Sequence, residues 1–454
     1  MELQAKLDVD VLALQQDDEV TCLVTFDAPV PDSLADRPGE HVIVVVDRSG
    51  SMHGAPIQAV KASLHSLIDR MKPQDSFGLI AFSDEAKIAV PTRRIADHDR
   101  VTVHQLVEGL NAGGSTDLSA GYLLGLSEAR RQLGSAAAAT VDRSAAAGAT
   151  VLLLSDGHAN LGIKDPQQLG GLATQARGER ITTGTIGLGA GYDERLLAEL
   201  ARGGNGPHRF AATPDDAAAV VGEEAGDLLN KSVVNAFLRV RPTDPALIEG
   251  VGTLHTVPRW LEKDAQGHPT VVIPLGDLFA GEHRELLLHF AVPAVAALGL
   301  YELATLTIEY VSLPSLESQT ITWPLAVNVV PGDVAAGRVC DPSVVTARLL
   351  AQATQAKDAA NTALGEGDID RAEQVMRQEI DRLDAQIGAL PAAAPQALRD
   401  RLREEQAQLD KLARGAREAD TMLMQKSLTE DLLLQQRGRD DAVRRTRARN
   451  KRDY

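Results

Sequence analysis

His41-Val42-Ile43-Val44-Val45-Val46-Asp47-Arg48-Ser49-Gly50-Ser51-Met52 is the stretch whose reading decides the fold. Its first six residues form an unbroken, mostly β-branched run, the signature of a strand buried on both faces of a parallel sheet. The run ends in one carboxylate and two hydroxyls at alternating positions, and Gly50 lets the backbone turn between them. Open α/β sheets place their ligands at the carboxyl ends of strands, where this cluster falls. Its donors are hard oxygens carrying little charge. That suits Mg²⁺, which keeps some of its waters and accepts an oxygen from a partner.

Two later segments extend the pattern. Gly113-Gly114-Ser115-Thr116-Asp117 is a glycine-rich turn before the helical pattern Leu118 to Gln132. Thr150-Val151-Leu152-Leu153-Leu154 is a second buried strand, followed by Ser155-Asp156-Gly157. Together these residues resemble the metal-ion-dependent adhesion site (MIDAS) of the von Willebrand factor A (VWA) family, whose first segment reads Asp-x-Ser-x-Ser. Asp47, Ser49, Ser51, Thr116 and Asp156 match its five positions. The resemblance implies that Ser49, Ser51 and Thr116 contact the ion, while Asp47 and Asp156 act directly or through water. It implies Mg²⁺ as the ion, with Mn²⁺ and Ca²⁺ as alternatives, and a protein partner whose Glu or Asp carboxylate completes the shell. Ser51 and Thr116 also suit helix caps. Asp117 reads first as a charge at a helix N-terminus, and second as an outer ligand.

The 454 residues allow two or three domains. A net charge of −17 argues against nucleic acid as the main partner. The charge is uneven: residues 437–454 hold eight Lys/Arg against three Asp/Glu, a local +5 that leaves −22 for the rest. Aromatics make up 3%, so cores rest on Leu, Val, Ile and Ala. Cys22 and Cys340 are far apart and have no metal-ligand spacing. With no signal-peptide pattern at Met1 to Lys6 and no apolar run of about 18 residues, the expectation is a cytoplasmic protein of bacterial type, without a membrane partner.

The expected fold class is α/β: a doubly wound, Rossmann-like VWA domain inserted in an antiparallel β-sandwich and followed by a C-terminal α-helical module. Alternating strands and helices place the VWA domain at 39–230. Leu7 to Leu14 and Val20 to Phe26 read as N-terminal strands within 1–38. Two strands cannot bury their own faces, so they are assigned to the strand-rich segment 231–332. Gly134 to Gly148, rich in Ala and Ser without period, reads as a surface insertion. From Ser343 the period becomes helical, giving a hairpin or three-helix module at 343–436 and a basic disordered tail at 437–454. The strand-rich flanks beside the A domain also resemble, loosely, inter-alpha-trypsin-inhibitor heavy chains.

Three functions follow as expectations. The first is a non-enzymatic, Mg²⁺-dependent protein-binding module. The second is a metal-assisted hydrolase with His53 or His158 as base, although His-Glu-x-x-His, Gly-x-Ser-x-Gly and Walker motifs are all missing. The third is a scaffold that self-associates through its C-terminal helices, or an adaptor of a separate AAA-type ATPase.

Overall fold

The computed structural model describes residues 1–31, 38–139, 148–189, 191–228, 230–249, 251–253, 259–264, 266–392, 394–415 and 421–436. Three strands lead the chain: β1 (Glu2–Leu7), β2 (Val11–Ala13) and β3 (Asp18–Asp27). There follow β4 (His41–Asp47), α1 (Ala55–Arg70), β5 (Ser76–Phe82), β6 (Ala86–Arg94), α2 (Arg100–Glu108) and α3 (Leu118–Ala139). The same alternation continues with β7 (Ala149–Ser155), α4 (Pro166–Gly178), β8 (Ile181–Leu188), α5 (Glu194–Gly203), β9 (Asn205–Ala211) and α6 (Pro214–Leu228). A strand-rich stretch comes next: β10 (Lys231–Pro242), β11 (Val251–Thr253), β12 (Trp260–Lys263), β13 (Pro269–Phe279), β14 (His283–Val292), β15 (Gly299–Ser312) and β16 (Glu317–Val330). Helices close the described chain: α7 (Gly332–Ala335), α8 (Pro342–Gly365), α9 (Ile369–Ala389), α10 (Gln396–Gly415) and α11 (Thr421–Gln436).

The chain divides into two compact units. One comprises Val30–Val234 with Val311–Ser318, and the other Met1–Pro29, Asn235–Tyr310 and Gln319–Tyr454. The first unit is built on a six-stranded sheet in the order β6-β5-β4-β7-β8-β9. All its pairs are parallel except β5–β6. The chain winds outward from β4 through β5 and then restarts at β7 on the other side. The topological switch point therefore lies between the carboxyl ends of β4 and β7, where doubly wound sheets bind ligands.

Strand periodicity sends the residues of β4 to opposite faces. Val42, Val44 and Val46 join Val60, Leu64, Leu67 and Ile68 of α1 and Val220 and Val221 of α6 in one buried cluster. Val45 faces α3, which approaches the sheet closely through two glycines. A Cβ on Gly125 would lie 2.7 Å from Val45 Cγ2, and one on Gly121 2.5 Å from the Phe82 ring. Next to β4, Glu40 meets Lys231 of β10 in a buried ion pair at 3.1 Å. The two ends of the domain are thereby joined.

The second unit contains a four-stranded sheet in the order β1-β3-β14-β11, and most of a six-stranded sheet in the order β12-β13-β10-β15-β16-β2. The N-terminal strands do pair with later ones: β3 runs antiparallel to β14, and β2 parallel to β16. Leu7 to Leu14 is not one strand. Asp8 breaks it, its N–H donating to Thr21 O and its carboxylate accepting the Thr21 N–H at 2.9 Å. Helix α8 packs Val344, Ala347 and Ala351 on Leu23 and Leu287. Arg401 of α10 grips Glu285 of β14 with two bonds of 3.1 Å. Despite its burial, Glu285 is held down to about 2 by His283 and Arg401. His283, paired with Glu285 at 3.6 Å and hydrogen-bonded to Asp27 at 2.7 Å, is raised to about 9.

Among the described residues the helical segment holds four long helices, α8 to α11, two of them after Gln396, where the sequence allows one or two. The segment expected as an insertion begins as helix, since α3 continues to Ala139. Alanine's helix propensity carries α3 on where the apolar period has stopped. The remainder of that segment, and the basic tail, lie outside the described residues.

Enlarging a helix glycine pressed on the sheet should overpack the core. Gly125→Leu should cost about 1–3 kcal/mol, read as a lower urea midpoint, whereas the same change at Gly134, which has open space around it, should leave the midpoint nearly unchanged.

Candidate metal centre

The switch point gathers three loops. Asp47 ends β4 with no exposed surface, and both of its oxygens are engaged. Oδ1 accepts the Ser49 N–H at 2.8 Å, folding the loop back on itself. Oδ2 accepts the Ser155 hydroxyl at 2.6 Å, tying the end of β4 to the end of β7. Backbone bonds then fasten this loop to the glycine-rich turn: Gly50 N–H donates to Gly114 O at 3.0 Å, and Gly113 N–H to Arg48 O at 2.7 Å. The positive φ of Gly114 and its closeness to Asp84 leave no room for a Cβ. Asp84 accepts the Ser115 N–H at 2.6 Å, which holds the turn from its other side.

Three of the five expected residues form a chain of oxygen contacts. Ser49 Oγ lies 3.1 Å from Ser51 Oγ, and Ser51 donates to Asp156 Oδ1 at 2.8 Å. Thr116 reaches the same place. A Cβ built on Gly157 would lie 3.4 Å from Ser51 Oγ and 3.8 Å from Thr116 Oγ1. Ser49 and Thr116 are buried, Asp156 is half-buried and Ser51 is exposed, so the cluster opens to solvent on one side. Thr116 O accepts from the N–H groups of Asn160 and Leu161, which draws the post-β7 loop against the turn.

Asp117 takes its first reading. Its Oδ1 accepts the Ala120 N–H at 2.9 Å and the Ser119 hydroxyl at 2.6 Å, capping α3. Ser155 is the residue that sequence reasoning overlooked. Its signal was its place at the end of a buried strand, where a hydroxyl needs a partner. His53 and His158 are exposed, and His158 Nδ1 lies 3.7 Å from Asp193 Oδ2.

The donor set fits a small, hard divalent ion. Mg²⁺ holds oxygens at about 2.1 Å in an octahedron, whose neighbouring vertices are about 3.0 Å apart. The 3.1 Å and 2.8 Å spacings found along Ser49, Ser51 and Asp156 match such edges without rearrangement. Asp47, with both oxygens committed, would reach a bound ion through an intervening water. Burial pushes Asp156 up to about 6, the Ser51 hydroxyl opposing the shift and the Asp47 charge adding to it. Burial likewise raises Asp47. Two carboxylates raised together in one cleft are short of a cation's charge.

Comparison with known proteins agrees with this geometry. Residues 41–223 match the family model of the von Willebrand factor type A domain. The chain thus carries a VWA domain. Over 291 residues it is 26% identical to the Synechocystis protein sll0103, a match that spans 64% of this chain and 66% of that one. Over 196 residues it is 27% identical to human inter-alpha-trypsin inhibitor heavy chain H4, spanning 41% of this chain and 20% of that one. The chain therefore covers less than two thirds of either relative. A von Willebrand factor type A protein from Catenulispora acidiphila shares the fold at a TM-score of 0.70 and 19% identity, covering 91% of this chain and 89% of its own. The ArnB paralog VWA2 from Sulfolobus acidocaldarius does so at 0.59 and 16%, covering 95% and 97%.

The raised Asp156 fixes the sign of a pH effect. A carboxyl whose folded value exceeds its ordinary 3.8 contributes stability that is full below 3.8 and lost as pH rises through about 6. In metal-free protein, Asp156→Asn should therefore gain stability relative to the wild type on going from pH 5 to pH 7.5, as read by urea unfolding. Mg²⁺ affinity should run the other way, falling about tenfold per pH unit below about 6 as the proton competes.

Proposed function

We propose that the VWA domain binds Mg²⁺ through Asp47, Ser49, Ser51, Thr116 and Asp156 and uses it to hold a Glu or Asp carboxylate of a protein partner, without catalysing a reaction. VWA domains mediate protein–protein interaction, and their MIDAS can bind a divalent metal. The observation that carries the reading is the Ser49–Ser51–Asp156 run of oxygens at ligand spacing, open to solvent at Ser51. When bound, the ion supplies an electrophilic position for one further oxygen. The chain's own residues do the rest. Ser49, Ser51 and Thr116 offer neutral oxygens, and Asp47 and Asp156 offset the charge from one side. Gly157 keeps the space beside Ser51 and Thr116 clear.

The wider reading keeps its domain plan: a VWA domain at 39–230, a β-sandwich formed by 1–38 and 231–332, and a helical module at 343–436. Among the described residues, no helix is long and apolar enough to cross a membrane. Cys22 is buried, Cys340 is exposed, and neither is in a disulfide, which suits a reducing bacterial cytoplasm.

Water-proton relaxation with Mn²⁺ as the probe tests the site directly. The expected result is one Mn²⁺ displaced by Mg²⁺, with a bound-water signal that falls when glutarate is added as a model carboxylate. Asp47→Ala and Asp156→Ala should each weaken Mn²⁺ binding at least about tenfold. Binding unchanged in both variants sinks the proposal. For the hydrolase alternative, turnover on a generic ester panel is expected to be nil with Mg²⁺ present. Turnover lost in Asp156→Ala would reverse the ranking.

A further inference from the structure

A second group of titratable side chains lies on the outer face of the VWA domain, away from the carboxyl ends of the strands. Helix α1 carries Lys61, His65 and Asp69 at intervals of four, and α2 carries His104 and Glu108 at the same interval. Residues four apart share a helix face, so the two stripes meet. The Nδ1 atoms of His65 and His104 point at each other across 2.6 Å. Each ring's other nitrogen meets a carboxylate: His65 Nε2 lies 2.8 Å from Glu108 Oε1, and His104 Nε2 lies 3.3 Å from Asp69 Oδ1. Lys61 reaches the same group, with Nζ 3.7 Å from Glu108 Oε2.

This arrangement constrains the tautomers. A carboxylate facing Nε2 favours a proton there, on both rings. With both protons there, the two Nδ1 lone pairs face one another; a proton on one Nδ1 fills the gap as a hydrogen bond, and a metal ion fills it by binding both. Two Nδ1–H groups would clash at that distance. The gap therefore takes a single bridging atom, a proton or a metal ion. A carboxylate behind each imidazole is also the arrangement that orients histidines bound to a metal and makes them better donors. The rings are about a quarter exposed, at 25% and 29% of the side chain, so an ion can reach them and they have room to part.

We infer that His65 and His104 form a binding site for a borderline transition-metal ion, Zn²⁺ in the first instance, that clips α1 to α2. Imidazole nitrogens bind Zn²⁺ at about 2.0–2.1 Å, and tetrahedral geometry sets two of them about 3.3 Å apart. The pair must open by about 0.7 Å from its present spacing. Water fills the remaining positions. Among the described residues no group of three or more His, Cys, Asp or Glu is already arranged around a metal, so the ion enters with two protein nitrogens and recruits the rest. The site differs in kind from the oxygen cluster at the switch point: nitrogen donors select Zn²⁺, hydroxyls and carboxylates select Mg²⁺.

Imidazole ¹⁵N NMR of the full chain, titrated with Zn²⁺ at pH 7.5 in excess Mg²⁺, is the test. The Nδ1 resonances of His65 and His104 should move together and saturate at one Zn²⁺, while their Nε2 atoms stay protonated. In competition with a chromophoric chelator, His65→Gln and His104→Gln should each weaken this Zn²⁺ about tenfold or more, and Glu108→Gln should weaken it less. The same Zn²⁺ should persist in Asp47→Ala, which separates this site from the Mg²⁺ proposal. The inference is overturned if Zn²⁺ leaves both Nδ1 resonances in place. It is equally overturned if both Gln variants, folded by circular dichroism, bind Zn²⁺ as the wild type does.

Discussion

The Asp47 carboxylate does two mechanical jobs before any ion is considered. One oxygen takes the Ser49 N–H and the other the Ser155 hydroxyl, so a fully buried charge sits between the ends of two strands 108 residues apart. A buried charge left without such bonds would cost several kcal/mol, so the fold around it is heavily committed. β4 must end at Asp47, β7 must lie beside it and end in a hydroxyl, and the strand order must reverse there. The loops after these strands then have few conformations open to them, and the turn at Gly113 and Gly114 is fastened to the first of them by backbone bonds. Order at the cluster thus comes from the sheet, and flexible side chains contribute little to it.

The VWA domain gathers two kinds of donor atom in separate places. At the switch point, hydroxyls and two raised carboxylates offer hard oxygens and a cleft short of positive charge. On α1 and α2, two imidazoles backed by carboxylates offer nitrogen lone pairs. Helix α1 belongs to both environments. It follows the Asp47 loop, and its apolar face shares one buried cluster with β4 and α6, while Arg70 donates to Gly222 O at 3.0 Å.

Much of this was legible in the sequence, and the reasons are specific. β4 and β7 announce themselves because strands buried on both faces need uninterrupted apolar runs. Asp47, Ser49, Ser51 and Asp156 stand at or just after the ends of those strands, and it was the resemblance to the VWA family that added Thr116, in the turn between α2 and α3. Asp117 was readable as a cap, since a carboxylate before a helix has orphan N–H groups to satisfy. Other features were hidden. Strand β12 is exposed throughout and shows no alternation, so no pattern marks it. The extra turns of α3 depend on alanine propensity, which leaves no period. The break at Asp8 depends on a partner thirteen residues away. The His65–His104 pair was out of reach altogether, because the two residues lie on different helices and spacing says nothing about which faces meet.

The ion pair between Glu40 and Lys231 has a consequence beyond its energy. It brings together two points of the chain 191 residues apart, one near each end of the segment Val30–Val234. A domain whose entry and exit are tied together at nearly one spot closes on itself, and its two ends need no outside clamp to stay together. The strands before and after it can keep pairing, as β3 does with β14, however large the piece between them becomes. Closing the connection falls to a glutamate and a lysine at the two ends of one compact unit.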